Sequence, residues 1–229
     1  HTRYWRDWSS DVCSSDLNAA LRSKGHDVEQ MYAHDVPARF PHTADELSDY
    51  DAIVLSDIGT NSFLLPVETW MHGRSAPNRL ALLADWVRNG GGLIMAGGYL
   101  SFQGFEGKAR FAGSPVEAVL PVDCLVHDDR VEAPEGATPT VVAAGHPVLA
   151  GVPGAMPALL GYNRVVLKPD ATLVATVGAD PLIATAQVGK GRTLVWTSDI
   201  GPHWCPEPFV RWEGFAPLMA NMVDWVSGR

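Results

Sequence analysis

Polar residues capable of acid–base chemistry follow three separate apolar runs of the sequence. Asp57, Tyr99 and Asp199 each come just after such a run, and His203 lies in the loop beyond Asp199. If the runs are parallel strands, their carboxyl ends meet at one edge of a sheet, where such sheets bind ligands. Two carboxylates, a phenol and an imidazole could hold a small molecule there or exchange protons with it. The alternative is that both aspartates cap the turns that follow them.

Further candidates lie on the loops around these positions. Ser101 follows Tyr99 by two residues and is a second possible nucleophile, whereas Cys205 beside His203 is interpreted as a semi-buried loop cysteine. The catalytic candidates are Tyr99, Ser101, Asp199 and His203. The residues expected to bind a ligand are Asp57, Asn61, Tyr99, Gln103, Glu106, Asp199 and His203. No cofactor is expected.

The spacing of apolar residues places these candidates on a βαβ unit. Asp51 to Ser56 is a short apolar run closed by Asp57-Ile58-Gly59, as in a buried parallel strand. A helix is predicted after Pro77-Asn78, because Leu80, Leu83, Ala84 and Val87 share one face. Gly90-Gly91-Gly92 ends that helix, and Leu93 to Ala96 is the next buried strand. Strand, helix and strand in this order indicate a parallel sheet.

The last third of the sequence alternates strands and turns. A meander is predicted over Arg164–Leu167, Thr172–Val177, Leu182–Gln187 and Arg192–Thr197. A closing helix is predicted because six apolar residues form one stripe: Phe215, Leu218, Met219, Met222, Val223 and Val226.

The first seventeen residues do not fit this pattern. Arg6 to Leu17 shows neither helical nor strand periodicity, and it resembles the in-frame translation of a widely used DNA sequencing adapter. We therefore expect residues 1–17 to be non-native and residues 18–229 to form a single domain. Asn18 to Lys24 is expected to end a helix at Gly25, and His26 to Tyr32 to form a short strand. No apolar run precedes that helix, so the native first strand is expected to be missing.

Composition excludes several classes of protein. The chain has 229 residues, 46% of them hydrophobic, which suits one domain with a sizeable core. A formal net charge of −9 argues against a nucleic-acid or anionic-membrane surface. Its three cysteines are too scattered for a disulfide framework or a zinc site. No signal peptide or membrane span is recognisable, so a cytoplasmic protein with a small-molecule or protein partner, or a homo-oligomer, is expected.

Three segments carry a resemblance to a known family. They are LSDIGTNSFLLP from Leu55, GGGLIMAGGYLSFQGFEGKARFAGSPVEAVLP from Gly90, and LLGYNRVVLKP through TSDIGPHW from Leu159 to Trp204. Together they resemble the class I glutamine amidotransferase-like proteins of the cytoplasmic, uncharacterised type. The resemblance implies an α/β, flavodoxin-like fold with a mostly parallel sheet and helices on both faces. It also implies a relation to trehalose-utilisation-type domains and to the trimerisation domains of some β-galactosidases.

The same resemblance raises doubt about glutaminase activity. An active class I amidotransferase places a cysteine on a sharp strand-to-helix turn, and here Tyr99 occupies that position. A phenol is a poor nucleophile at neutral pH. The His146-Pro147 segment resembles a His-Pro segment of related amidotransferase-like domains, and it is interpreted as a structural corner. Three hypotheses remain: a ligand-binding protein with hydrolytic or unknown activity, a non-catalytic oligomerisation module, and a glutaminase with an unexpected nucleophile.

Overall fold

The computed structural model describes the backbone of residues 10–229 and the side chains from residue 16 onward. The helices are α1 Ser10–Ser23, α2 Val36–Arg39, α3 Ala44–Leu47, α4 Thr60–Leu64, α5 Val67–His72, α6 Arg79–Arg88, α7 Glu207–Val210 and α8 Phe215–Ser227. The strands are β1 Ala52–Leu55, β2 Gly92–Ala96, β3 Val122–Cys124, β4 Arg130–Ala137, β5 Pro139–Val141, β6 Leu159–Asn163, β7 Val165–Leu167, β8 Thr172–Val177, β9 Asp180–Val188 and β10 Gly191–Trp196.

The main sheet mixes parallel and antiparallel strands. Its order is β1-β2-β10-β9-β8-β5, and only β1, β2 and β10 run parallel to one another. The remaining pairs are antiparallel, so the prediction of a mostly parallel sheet was wrong. The reason is local: two-residue turns at 178–179 and 189–190 join β8 to β9 and β9 to β10, and such short turns force antiparallel pairing. Two small sheets, β3-β7 and β4-β6, complete the fold.

The βαβ unit predicted from the sequence is present. The Asn78 side chain accepts hydrogen bonds from the backbone N–H groups of Leu80 and Ala81 and so begins α6. The predicted face of α6 is buried, and every residue of β2 is buried. Helix α8 buries Phe215, Leu218, Met219, Met222 and Val226 and packs on β2 and β10. These helices and their neighbours form two apolar clusters, one containing α8 and α1 and the other containing α6.

The amino-terminal part differs from the prediction in two ways. Helix α1 does end before Gly25, which has a φ of 90°, but it begins at Ser10 and so extends into a segment whose sequence shows no helical periodicity. The side chain of Leu17 is buried together with Ala20 and Leu21, as helical spacing requires. The part of this segment before Ser10 lies outside the described residues. His26 to Tyr32 is not a strand, because no strand between residues 10 and 229 pairs with it.

No helix in the part of the chain from residue 10 onward is long and apolar enough to cross a membrane.

A buried arginine fastens α6 to the segments before it. Arg79 is completely buried, and its guanidinium donates hydrogen bonds to the carbonyl oxygens of Val36, Phe40, Ser62 and Phe63 at 2.8–3.2 Å. Burial lowers the pKa of this group. One side chain therefore satisfies carbonyl groups from the ends of α2 and α4, of which the Val36 carbonyl oxygen also accepts a hydrogen bond from the Phe40 N–H.

We expect Arg79→Leu to destabilise the fold by about 3 kcal/mol, because four carbonyl oxygens lose their hydrogen bonds to the guanidinium. Urea denaturation measures this loss. The matched control is Arg88→Leu, since Arg88 is an exposed residue of α6 paired only with Asp85 among the contacts described, and it should change stability by less than about 1 kcal/mol. Equal losses in the two variants would contradict this account of Arg79.

Candidate functional site

The predicted polar residues converge where the parallel strands end. The strands β1, β2 and β10 are neighbours with their carboxyl ends at one edge, which brings Asp57, Tyr99 and Asp199 together. The Tyr99 and His203 rings lie 4.9 Å apart between centroids, and a carboxylate oxygen of Asp199 lies 3.6 Å from Nδ1 of His203. Asp57 is close enough for its charge to interact with Asp199 and His203. We call these four residues the edge cluster.

Asp57 occupies a strained and partly desolvated position. Its φ is 47°, in the left-handed region that few side chains adopt. Its carboxylate accepts a hydrogen bond from the Leu100 N–H at 3.0 Å, and its own N–H donates to the Ser101 hydroxyl at 3.1 Å. Burial, and next the Asp199 carboxylate, raise the pKa of Asp57 to about 7. Asp57 can therefore give or take a proton near neutral pH.

Asp199 serves both its own loop and the histidine. One carboxylate oxygen accepts a hydrogen bond from the Ile200 N–H at 2.8 Å, which is the capping role that the sequence left open. The other oxygen faces His203 and raises the pKa of that imidazole. Asp199 is 2% exposed, whereas about half of the His203 side chain is exposed. The His203 imidazole, cationic or neutral, is thus accessible to solvent, and the Asp199 carboxylate that faces it is buried.

Tyr99 is held by a glutamate that the sequence did not single out. The phenol donates to Oε1 of Glu132 on β4 at 3.0 Å, and the indole N–H of Trp204 donates to Oε2 at 2.8 Å. Burial, followed by this hydrogen bond, raises the pKa of Tyr99. No sequence signal marked Glu132, because its partners Tyr99 and Trp204 lie 33 and 72 residues away along the chain.

An arginine stacks against the same tyrosine. The Arg130 guanidinium lies 4.5 Å from the ring centroids of both Tyr99 and Phe105. Asp128 pairs with it at 2.9 Å, and the guanidinium holds the pKa of that carboxyl well below its usual range. The cation–π contacts and the ion pair fix the outer side of the Tyr99 ring.

The turn that carries Tyr99 depends on a glycine and a buried amide. A Cβ at Gly98 would lie 2.4 Å from the Asp57 carboxylate oxygens, so no side chain fits there. The Gly98 N–H donates to Oδ1 of the buried Asn163 at 2.8 Å, and Nδ2 of Asn163 donates to the Gly98 carbonyl oxygen and to Asp129. Neither Asn163 nor Asp129 was predicted, since their role follows from contacts distant in sequence.

The other candidates lie outside the edge cluster or beneath it. Ser101 is 2% exposed and Cys205 is fully buried. The Gln103 side chain donates a hydrogen bond to the Val126 carbonyl oxygen and accepts one from the Ala112 N–H. The Glu106 carboxylate pairs with the Lys108 ammonium at 2.6 Å. Asn61 is exposed on α4, and among the described contacts none joins its side chain to the cluster.

His146 occupies a structural corner, as the sequence suggested. Its Nδ1 accepts a hydrogen bond from the Val148 N–H at 3.2 Å, and its Nε2 lies 3.3 Å from the Thr185 hydroxyl. Between residues 16 and 229, where side chains are described, no group of three or more His, Cys, Asp or Glu residues has the arrangement of a metal site.

The raised pKa of Asp57 makes stability depend on pH. The folded protein holds a proton that an unfolded aspartate releases above about pH 4, so this contribution is full below about pH 4 and is lost as the pH rises through about 7. Relative to Asp57→Asn, the unaltered protein should lose at most about 1.4 kcal/mol per pH unit over that window. Urea denaturation between about pH 4 and 8 measures the difference. Parallel profiles for the two proteins would show that Asp57 is ionised throughout.

Comparison with known proteins places the chain in a family. A family model described as "Putative glutamine amidotransferase" matches residues 8–228. Two cytoplasmic proteins from Salmonella typhimurium have similar structures, with TM-scores of 0.91 and 0.90 at 40% and 39% identity; each comparison covers 99% of this chain and 93% of the other. A β-galactosidase from Rahnella sp. R3 shares the fold alone, with a TM-score of 0.58 at 13% identity over 93% of this chain and 26% of the enzyme.

A search of curated proteins found no match. The family model spans almost the whole sequence and the Salmonella proteins are similar along their length, so the chain belongs to the glutamine amidotransferase-like family.

Proposed function

We propose that this protein binds a small polar molecule at the edge cluster and does not hydrolyse glutamine. The observation that carries the proposal is the convergence of Asp57, Asp199 and His203 around the Tyr99 ring. Bringing two carboxylates together and desolvating one of them costs free energy, which a bound polar ligand would offset. A cytoplasmic location belongs to the same proposal, because both Salmonella relatives are named cytoplasmic proteins.

The lack of glutaminase action follows from the residues around the turn. A thiolate nucleophile must be exposed and activated by a neighbouring base. Tyr99 stands at the turn instead, and its raised pKa keeps the phenol protonated at neutral pH. The Ser101 hydroxyl is engaged with Asp57 beneath the surface, and Cys205 is buried. No described side chain at the turn thus combines nucleophilicity with access to a substrate.

The charges around the cluster indicate the class of ligand. Asp57, Asp199 and Glu132 supply acidic oxygens, while the Arg130 guanidinium is engaged with Asp128 and the aromatic rings. Acidic oxygens beside the faces of Tyr99 and Trp204 favour a ligand with amine or hydroxyl donors, because donors satisfy carboxylates and aromatic faces attract cations. We therefore include small amines and polyols in the ligand class.

One observation favours a second function, a non-catalytic interaction module. The surface around α5 exposes four apolar side chains, and Trp70 and Met71 are 72% and 66% exposed. The other two members of this α5 patch are Leu64 and Val67. Large apolar side chains exposed on one short segment are a feature of protein–protein contacts. Self-association through the α5 patch would make this protein a non-catalytic oligomerisation module. This is the function that the resemblance to β-galactosidase trimerisation domains implies.

A glutaminase assay tests the first part of the proposal. We expect the protein to release no ammonia from glutamine above the rate of buffer alone, because the turn offers no activated nucleophile. Ammonia release that survives in Tyr99→Phe but disappears in Ser101→Ala or Cys205→Ala would overturn this expectation and identify the nucleophile.

A thermal-shift screen tests ligand binding. The probes are a panel of small amines, amino acids and polyols. A member of the ligand class should raise Tm by about 5 °C or more at about 100 times its Kd. The rise should vanish in Asp57→Asn and His203→Ala, and it should persist in Glu106→Gln, which alters an exposed carboxylate paired with Lys108.

The same samples distinguish the second function. If no probe raises Tm and the protein is an oligomer that Trp70→Lys converts to a monomer, the interaction module is supported. A monomeric protein stabilised by a probe supports the ligand-binding function.

A further inference from the structure

The turn after β2 holds a carboxylate that comes from the end of another strand. The Leu100 N–H donates a hydrogen bond to Oδ1 of Asp57 at 3.0 Å, although Leu100 lies 43 residues after Asp57 in the sequence. Burial and the Asp199 carboxylate raise the pKa of Asp57, and hydrogen bonds from the backbone N–H groups of Leu100 and Tyr99 oppose that rise. An aspartate that caps a turn binds N–H groups of the residues that follow it. Asp57 therefore contacts this turn as a bound anion would.

The backbone around the carboxylate lets an anion come close. A Cβ at Gly98 would lie 2.4 Å from both carboxylate oxygens of Asp57, and the φ of Gly98 is 145°. A glycine at such a place allows a ligand to approach the backbone directly. Asn163 holds the same glycine through its N–H and its carbonyl oxygen. The turn is thus fixed by hydrogen bonds in which the Asp57 side chain takes no part.

The charged neighbours act on any anion at this turn as they act on Asp57. The His203 imidazole favours negative charge there, whereas the Asp199 carboxylate opposes it. A free carboxylate that replaced the Asp57 side chain would carry the same charge and meet the same N–H donors. Charge-assisted hydrogen bonds from backbone N–H groups are among the strong ones. The turn therefore has the donors and the surroundings that a small carboxylate requires.

We propose that the N–H groups of Tyr99 and Leu100 form an anion seat at Gly98, and that the Asp57 carboxylate fills this seat from within the chain. Asp57 is then a specificity-determining residue. It keeps carboxylates and other small anions out of the edge cluster and leaves the cluster to neutral and cationic ligands. This consequence rests on the proposed ligand-binding function, whereas the seat itself is a property of the folded chain.

Two substitutions of Asp57 separate the filled seat from the empty one. The φ of Asp57 is 47°, which glycine adopts without strain, and its N–H donates to the Ser101 hydroxyl at 3.1 Å. Asp57→Gly therefore removes the carboxylate and keeps the backbone and this hydrogen bond. Asp57→Asn is the matched control, because its amide carbonyl oxygen can accept the same N–H groups and keeps the seat filled without the charge.

A carboxylate supplied from solution tests the proposal. Sodium formate is added to the unaltered protein, Asp57→Gly and Asp57→Asn, with sodium chloride at the same ionic strength as the reference for screening. Formate should raise the Tm of Asp57→Gly above its chloride value by about 3 °C or more at about ten times the Kd. It should leave the other two proteins at their chloride values, because their seat is filled.

The backbone amide signals locate the bound formate. In two-dimensional proton–nitrogen NMR spectra of Asp57→Gly, the amide signals of Tyr99 and Leu100 should shift with formate and saturate. No formate effect in Asp57→Gly, an equal effect in all three proteins, or unshifted signals at these two amides would overturn the proposal. If Asp57→Gly is unfolded in chloride, recovery of its circular dichroism in formate supports the proposal, and no recovery overturns it.

A matched pair of probes tests the selectivity. Ethanolamine and glycolate share a hydroxyl group and differ in charge. Glycolate should raise the Tm of Asp57→Gly and leave the unaltered protein at its chloride value, and equal stabilisation of both proteins by glycolate would overturn the role of Asp57. Formate binding by Asp57→Gly without any ligand for the unaltered protein supports the seat and counts against the proposed function. A ligand for the unaltered protein without formate binding by Asp57→Gly overturns the seat alone.

Discussion

The buried amide of Asn163 is the constraint on which the site depends. It holds both the N–H and the carbonyl oxygen of Gly98 and also bonds Asp129, whose carboxylate accepts from the N–H groups of Gln103 and Gly104. One side chain on β6 thus fixes the turn after β2 and the loop that follows it. A buried polar network of this kind is satisfied only in one arrangement, so it specifies where Tyr99 and the Leu100 N–H stand.

The chemistry of the edge cluster follows from that placement. With the turn fixed, the Leu100 N–H meets the Asp57 carboxylate, and the Tyr99 phenol meets Glu132. The Asp57 hydrogen bonds favour its ionised form, yet burial and Asp199 outweigh them, so the pKa rises. The surrounding structure therefore gives the Asp57 carboxyl a pKa near neutral pH. An aspartate that only caps an exposed turn would not have its pKa raised in this way.

Sequence reasoning recovered the parts of this arrangement that depend on local patterns. The apolar runs of β1 and β2, the cap of α6 at Asn78 and the positions of Asp57, Tyr99 and Asp199 after strands all follow from spacing. Glu132, Asn163 and Arg79 could not be found in this way, because their partners lie far along the chain and no period marks them. The meander of β8, β9 and β10 also follows from spacing, but the sheet as a whole is not mostly parallel, because the tight turns of this meander give antiparallel pairs.

The pairing of β2 with β10 has a kinetic consequence. In this pair Ala96 lies opposite Trp196, so the contact closes a loop of roughly one hundred residues, whereas the pairs β8-β9 and β9-β10 are closed by short turns. Loop closure of that length is slow relative to hairpin formation. The carboxyl-terminal meander can therefore form early, while Tyr99 and Asp199 meet only after this long loop has closed. A chain emerging from the ribosome can form its candidate site only after β10 and the following loop with His203 have been synthesised.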